Sequence, residues 1–228
     1  MNRDRACLVI DMQQEDGFPL HGFARVIHNN ARLLDALRQA GIPILYSRHV
    51  NAADGADLPE GEPRDAEGRP QSYRAGSRQV EILAALAPQP GEPVIDKPRY
   101  SAFHRTDLDL RLRRQGIRTL VVSGVLTDAC VLATVQDAFA LGYRVELIAD
   151  ACTSTTGAAH YAALLIMANW VYAIELFATE QYLRALRGEP FASCRPTAPD
   201  SFAHQPAAFA AAIARLESSL GLQRREQE

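Results

Sequence analysis

A thiol, an ammonium and a carboxylate stand at the ends of three apolar runs in this chain, and together they can make a nucleophile that attacks a carbonyl. Cys130 follows the run Leu120-Val121-Val122-Ser123 and a glycine, and it opens a helical pattern within Gly124-Val125-Leu126-Thr127-Asp128-Ala129-Cys130-Val131. The free amides of a helix N-terminus stabilise a thiolate and lower its pKa. A cysteine in such a strand-to-helix turn is placed to attack a carbonyl. Most free cysteines only fill buried space, however, and Cys130 taken alone favours that role. Asp11, closing the run Ala6-Cys7-Leu8-Val9-Ile10, and Lys97, closing Val94-Ile95-Asp96, change the balance. A carboxylate near the thiol can take its proton, while an ammonium stabilises the thiolate and holds the carboxylate in place. Singly, Asp11 could cap a loop and Lys97 could be a solvated surface cation. Their joint placement after strands is what points to a nucleophilic site.

The elements that must position this trio alternate between strand and helix. Apolar runs of strand length are expected to form strands at Ala6 to Asp11, Pro43 to Ser47, Val94 to Asp96, Thr119 to Ser123, Arg144 to Ile148 and Trp170 to Ile174. Helices are expected at Ala24 to Gln39, Asp107 to Arg114, Ala129 to Leu141 and His160 to Asn169, several of them followed by glycine. Strict alternation is the signature of a parallel sheet covered on both faces. The fold class is therefore α/β: a three-layer α/β/α arrangement with a six-stranded parallel sheet, order 3-2-1-4-5-6, plus a C-terminal helical extension. In open sheets of this kind the ligand lies beyond the carboxyl ends of the strands, where strand order reverses. That places Asp11 and Cys130 on either side of one crevice, with Lys97 reaching in on its stem.

One domain over residues 1–188 accounts for the alternation, and 189–228 is a Pro-rich connector with a helix at Pro206 to Leu220, packed on the same domain or on a neighbouring subunit. The stretch Asn51 to Gln79 is rich in Gly, Pro and charge, and reads as a long loop, either a lid over the site or a surface excursion. The net charge of −3 and the lack of a basic block argue against nucleic acid and anionic membrane. No apolar run approaches spanning length, and Met1-Asn2-Arg3-Asp4-Arg5 leads straight into a strand instead of a signal-peptide core. The expectation is a cytoplasmic enzyme for a small molecule, with Cys7, Cys130, Cys152 and Cys194 reduced.

Three motifs, Leu8-Val9-Ile10-Asp11-Met12-Gln13, Val94-Ile95-Asp96-Lys97-Pro98-Arg99-Tyr100-Ser101-Ala102-Phe103 and the segment Gly124 to Val131, make the chain resemble the isochorismatase-like cysteine hydrolases. This superfamily includes nicotinamidases, N-carbamoylsarcosine amidases, and ureidoacrylate and biuret hydrolases, and the likeness runs from about Ala6 to Phe177. The resemblance implies Asp11 as base, Lys97 as charge partner and Cys130 as nucleophile. It also implies a non-proline cis peptide between Val125 and Leu126, an oxyanion hole from the amides of Leu126 and Cys130, and homo-oligomers (dimer or tetramer). No organic cofactor is needed. The implied reaction is C–N cleavage of a small amide or ureide through a thioester, with release of ammonia or an amine. A vinyl-ether or ester hydrolase, or a catalytically silent binding subunit, are the other readings.

Nicotinamidases carry an Asp-x-His metal site with a further His after the second strand. Here Ser47-Arg48-His49-Val50-Asn51-Ala52-Ala53-Asp54 holds a single histidine, so no metal is expected and His49 reads as structural. The residues after Lys97 lean toward the ureidoacrylate and carbamoyl-amide branch. Candidate substrate-binding residues are Gln13 and Asn51 as hydrogen-bond partners and Phe18, Tyr100 and Phe103 as aromatic walls. Arg48, Arg74 or Arg99 could clamp a substrate carboxylate. Cys152 has nothing nearby to activate it.

Overall fold

In the computed structural model, which describes residues 4–14, 17–203 and 205–222, every apolar run of strand length but the last forms its strand where expected. Expectations that touch Met1 to Arg3, Glu15, Asp16, His204 and 223–228 lie outside the described residues. The strands are β1 (Arg5–Ile10), β2 (Ile44–His49), β3 (Val94–Lys97), β4 (Thr119–Val125), β5 (Arg144–Thr153) and β6 (Ile174–Phe177). All neighbours pair in parallel, in the order β3-β2-β1-β4-β5-β6, as the sequence implied.

Side chains alternate across β1 because successive residues of a strand point to opposite faces. Ala6, Leu8 and Ile10 enter one core with residues of α2 (Leu108–Arg114), α3 (Leu132–Ala140) and α4 (Gly157–Trp170). Cys7 and Val9 enter the other, against α1 (Phe23–Gln39) and Tyr182 of α5 (Thr179–Leu186). Each fully buried Leu or Ile contributes about 1.5–3 kcal/mol, which is what holds the layers together. The C-terminal helix α6 (Phe209–Ser219) packs on its own domain: Ala212, Leu216 and Leu220 join the first core, and Tyr161 of α4 donates to Glu217 at 2.7 Å.

Two boundaries differ from expectation for physical reasons. Strand β5 runs on to Thr153 through a bulge, since Val122 and Gly124 pair with Leu147 and Cys152, so that a step of two on β4 (124 − 122) faces a step of five on β5 (152 − 147). The carbonyls this frees are taken by two asparagines of α1, Asn29 and Asn30, which donate to Asp150 and Ala151 at 2.8 Å each. The sixth strand is not Trp170 to Ile174. Helix α4 continues to Trp170, and β6 begins at Ile174. The unbroken apolar stretch there carries no period that separates a buried helix end from a buried strand.

Candidate active site

The register brings the carboxyl ends of four strands to one edge: Ile10 pairs with both Ser47 and Gly124, and His49 pairs with Lys97. Asp11 follows β1 with φ 51° and is 6% exposed, while Lys97 is fully buried. Lys97 Nζ lies 2.6 Å from Asp11 Oδ2, 3.4 Å from Cys130 Sγ and 3.0 Å from the carbonyl of Arg99. Ser47 donates to the other Asp11 oxygen at 2.8 Å. The three residues meet, and Lys97 is not a surface cation.

Burial works against the Lys97 charge, but the Asp11 carboxylate and the Cys130 sulfur beside it together outweigh burial and raise the ammonium pKa above its ordinary value. Burial and the same carboxylate push the Cys130 thiol up, with Lys97 opposing. Burial and Asp11 thus oppose the thiolate that a helix N-terminus is expected to favour, and Lys97 supports it. Cys130 does not stand at the start of a regular helix. It lies within a π-helical turn, Thr127–Val131, that precedes α3, and the carbonyl of Leu126 accepts from Ala129 (3.1 Å) and Val131 (3.0 Å). The peptide between Val125 and Leu126 is cis. Cys152 is buried with its pKa pushed up to about 12 by desolvation, and it lacks a charged neighbour like Lys97 that would favour a thiolate.

The structure adds one residue that sequence reasoning set aside. A ring nitrogen of His49, a carboxylate oxygen of Asp11 and Cys130 Sγ lie within 4.8 Å of one another. The only sequence signal was its position two residues past Ser47 on a strand end. These atoms could ligate a metal ion, but the buried Lys97 ammonium already contacts the carboxylate and the sulfur, and it would repel a further cation. Burial and Lys97 lower His49 to about 4, so the imidazole is neutral.

A cavity of about 340 Å³ opens beside His49, walled by Asn51, Tyr100, Ser101 and His104 and, from the 51–79 loop, by Pro59 and Glu62. Of the residues suggested by sequence as substrate contacts, Asn51 and Tyr100 line this cavity. Three other candidates do not. Gln13 accepts from the His49 amide at 2.7 Å and donates to its carbonyl at 2.9 Å, so both ends of its amide are committed to holding β2. Phe103 packs on the core and stacks on Tyr143 at 5.8 Å. Phe18 does not line this cavity. Of the three arginines, Arg48 donates to both carboxylate oxygens of Asp96 through Nε and Nη2, while Arg99 lines the cavity and donates to the carbonyls of Asp57 and Pro98.

The isochorismatase domain model matches residues 5–178. The chain is similar to the ureidoacrylate amidohydrolases RutB of Methylobacterium radiotolerans (38% identical; 59% of this chain, 57% of the relative) and Variovorax paradoxus (33%; 76% of each). The match thus spans little more than half the length of the first of these. Among solved structures it resembles a cysteine hydrolase from Pseudomonas syringae pv. phaseolicola (TM-score 0.73, 26% identical, 82% of this chain and 94% of that one). An isochorismatase family protein from Desulfovibrio vulgaris is also similar (TM-score 0.71, 31%, 82% and 100%).

Proposed function

Because the chain belongs to the isochorismatase family, we propose that it is a cysteine-dependent amidohydrolase cleaving a C–N bond of a small carbamoyl or ureido amide. The observation that carries this is the buried Lys97 ammonium, 2.6 Å from Asp11 and 3.4 Å from Cys130 Sγ, which binds base and nucleophile into one unit. The names of the RutB relatives support the ureide class.

The reaction proceeds in two halves. Asp11 takes the Cys130 proton as the sulfur attacks the carbonyl, and the tetrahedral oxyanion is held by the amides of Leu126 and Cys130, each worth about 3 to 4 kcal/mol in such a site. Lys97 stabilises the sulfur's developing negative charge. The C–N bond then breaks, and Asp11 passes its proton to the departing nitrogen. In the second half Asp11 takes a proton from water, whose oxygen attacks the thioester (a thiocarbamate for a ureide). The C–S bond breaks and the proton returns to sulfur. The substrate would approach from the cavity beside His49, which Asn51 and Tyr100 line and which Pro59 and Glu62 of the 51–79 loop help to wall.

The test is ammonia or amine release from ureidoacrylate, N-carbamoyl amino acids, biuret and nicotinamide, with Cys130→Ala alongside. Cys130-dependent turnover of one ureide supports the reading. Equal activity in the variant refutes it.

A further inference from the structure

His49 takes no part in the chemistry above, yet it shares a 4.8 Å cluster with the base and the nucleophile and lines the cavity. Its ring is fixed from three sides. Gln13 grips its backbone at both ends, Tyr73 stacks on it at 5.1 Å, and Nε2 lies 3.2 Å from Asn51 Oδ1.

That last contact sets the tautomer. Asn51 Nδ2 donates to the carbonyl of Ser72 at 3.1 Å, so its oxygen faces His49. An amide oxygen can only accept, so Nε2 carries the proton and Nδ1 the lone pair. Burial and Lys97 keep the ring neutral, which preserves that lone pair at working pH. Nδ1 has no hydrogen-bond partner among the described residues.

The carbonyl carbon of a ureide bears one oxygen and two nitrogens. In the proposed reaction the oxygen goes to the amides of Leu126 and Cys130, and the departing nitrogen goes to Asp11. The nitrogen that stays has no partner in that scheme. The attacked carbon must come within about 3–3.5 Å of Sγ. A substituent on that carbon can then approach the His49 ring, one of whose nitrogens lies no more than 4.8 Å from the same sulfur, and Nε2 is already taken up by Asn51. We propose that the Nδ1 lone pair of His49 accepts a hydrogen bond from the retained nitrogen, and so selects carbamoyl compounds over simple amides. The inference rests on the amidohydrolase reading and names the group it recognises. A simple acyl group would set a methyl against this acceptor and leave it unpaired, which is worth roughly 10–100-fold in kcat/KM.

The experiment compares ureidoacrylate with 3-acetamidoacrylate, which differ only in the retained amino group and share a leaving group, by loss of the enamide absorbance. His49→Phe keeps a ring to stack on Tyr73 and removes the acceptor. His49→Asn puts an amide oxygen near the place of Nδ1. We expect His49→Phe to lower kcat/KM for ureidoacrylate roughly 10–100-fold and for 3-acetamidoacrylate by about threefold or less, with His49→Asn recovering most of the difference. Equal losses on both compounds, or none on either, overturn the inference and leave the amidohydrolase reading intact. No Cys130-dependent turnover of either compound by the unaltered protein overturns that reading, and the inference with it. If His49→Phe does not fold, the ratio is read on His49→Leu, which removes the acceptor and adds no other.

Discussion

Gly124 is the point where a single methyl group should cost both stability and activity. It sits at φ 120°, and a Cβ built there would meet the Ile10 carbonyl oxygen at 2.0 Å and the Ile10 nitrogen at 2.7 Å. Both are backbone atoms of the neighbouring strand, so no side chain can swing aside. To restore even the 3.0 Å limit of real contacts, β1 and β4 must part by 3.0 − 2.0 = 1.0 Å at this pair. The forbidden φ costs about 1–3 kcal/mol. Two ladder hydrogen bonds weakened beside Ile10 add about 1 kcal/mol each. The sum, about 3–5 kcal/mol, is a large part of the roughly 5–15 kcal/mol that holds a domain together. Asp11 is the next residue after Ile10 and moves with it, and a 1 Å error in a reacting group costs on the order of 100-fold in rate. The assay is urea unfolding and Cys130-dependent turnover of Gly124→Ala, with Gly116→Ala as control. Gly116 also has positive φ, 69°, but nothing lies within 4 Å of its added methyl, so only about 1–2 kcal/mol of backbone strain is expected. If Gly124→Ala loses no more stability than Gly116→Ala and keeps its turnover, the clash has no consequence and the reasoning fails.

Three further outcomes follow from the site. Cys130→Ala should fold with its far-UV spectrum unchanged and show no turnover, whereas Cys152→Ala should keep activity; comparable activity in the two would sink the nucleophile assignment. Lys97→Met leaves the Asp11 carboxylate, 6% exposed, without its counter-ion, and should lose about 3–5 kcal/mol by urea unfolding together with most of its activity. A Lys97→Met variant within about 1 kcal/mol of the parent would show that the ion pair is not coupled to the fold. For acid stability, His49 is ordinarily half-protonated at 6.5 and is held to about 4 in the folded chain, so between these values the unfolded chain binds the extra proton. Stability should be full above 6.5 and fall as pH drops toward 4, with His49 accounting for about 3 kcal/mol. His49→Phe should flatten the unfolding profile in that window, and an unchanged profile would refute the burial of a neutral ring.

The sheet was legible because its strands are short apolar runs set off by glycines and helical segments, and order 3-2-1-4-5-6 then placed Asp11 and Cys130 at one crevice. Asp11, Lys97 and Cys130 could be found because reactive side chains stood out at the ends of those runs. What sequence could not give were side-chain directions. Gln13 and Phe103 have the right chemistry for a substrate wall, but one holds the backbone of His49 and the other faces Tyr143. Nor could it give the bulge in β5, since only the fold shows that the asparagines of α1 face bare carbonyls. His49 was passed over because a lone histidine on a strand is most often structural, and its meaning depends on a pairing with Lys97 from forty-eight positions away (97 − 49).

The least legible feature is how Asp11 comes to face the other two residues at all. Leu45, Ser47 and His49 alternate onto one face of β2, and the paired Ile10, Ile95 and Lys97 share that face. If β1 simply continued, Asp11 would point with Cys7 and Val9 into the opposite layer, against α1. It does not continue. Asp11 adopts φ 51°, ending the strand, and its carboxylate is found on the other side, accepting from Ser47 and paired with Lys97. Lys97 must pass across the end of β2 to arrive there, and the small side chain of Ser47 leaves room and supplies a hydrogen bond. Aspartate is among the few residues that hold a left-handed conformation at low cost. One residue type therefore supplies both the bend that redirects the strand and the carboxylate that the bend delivers to the thiol.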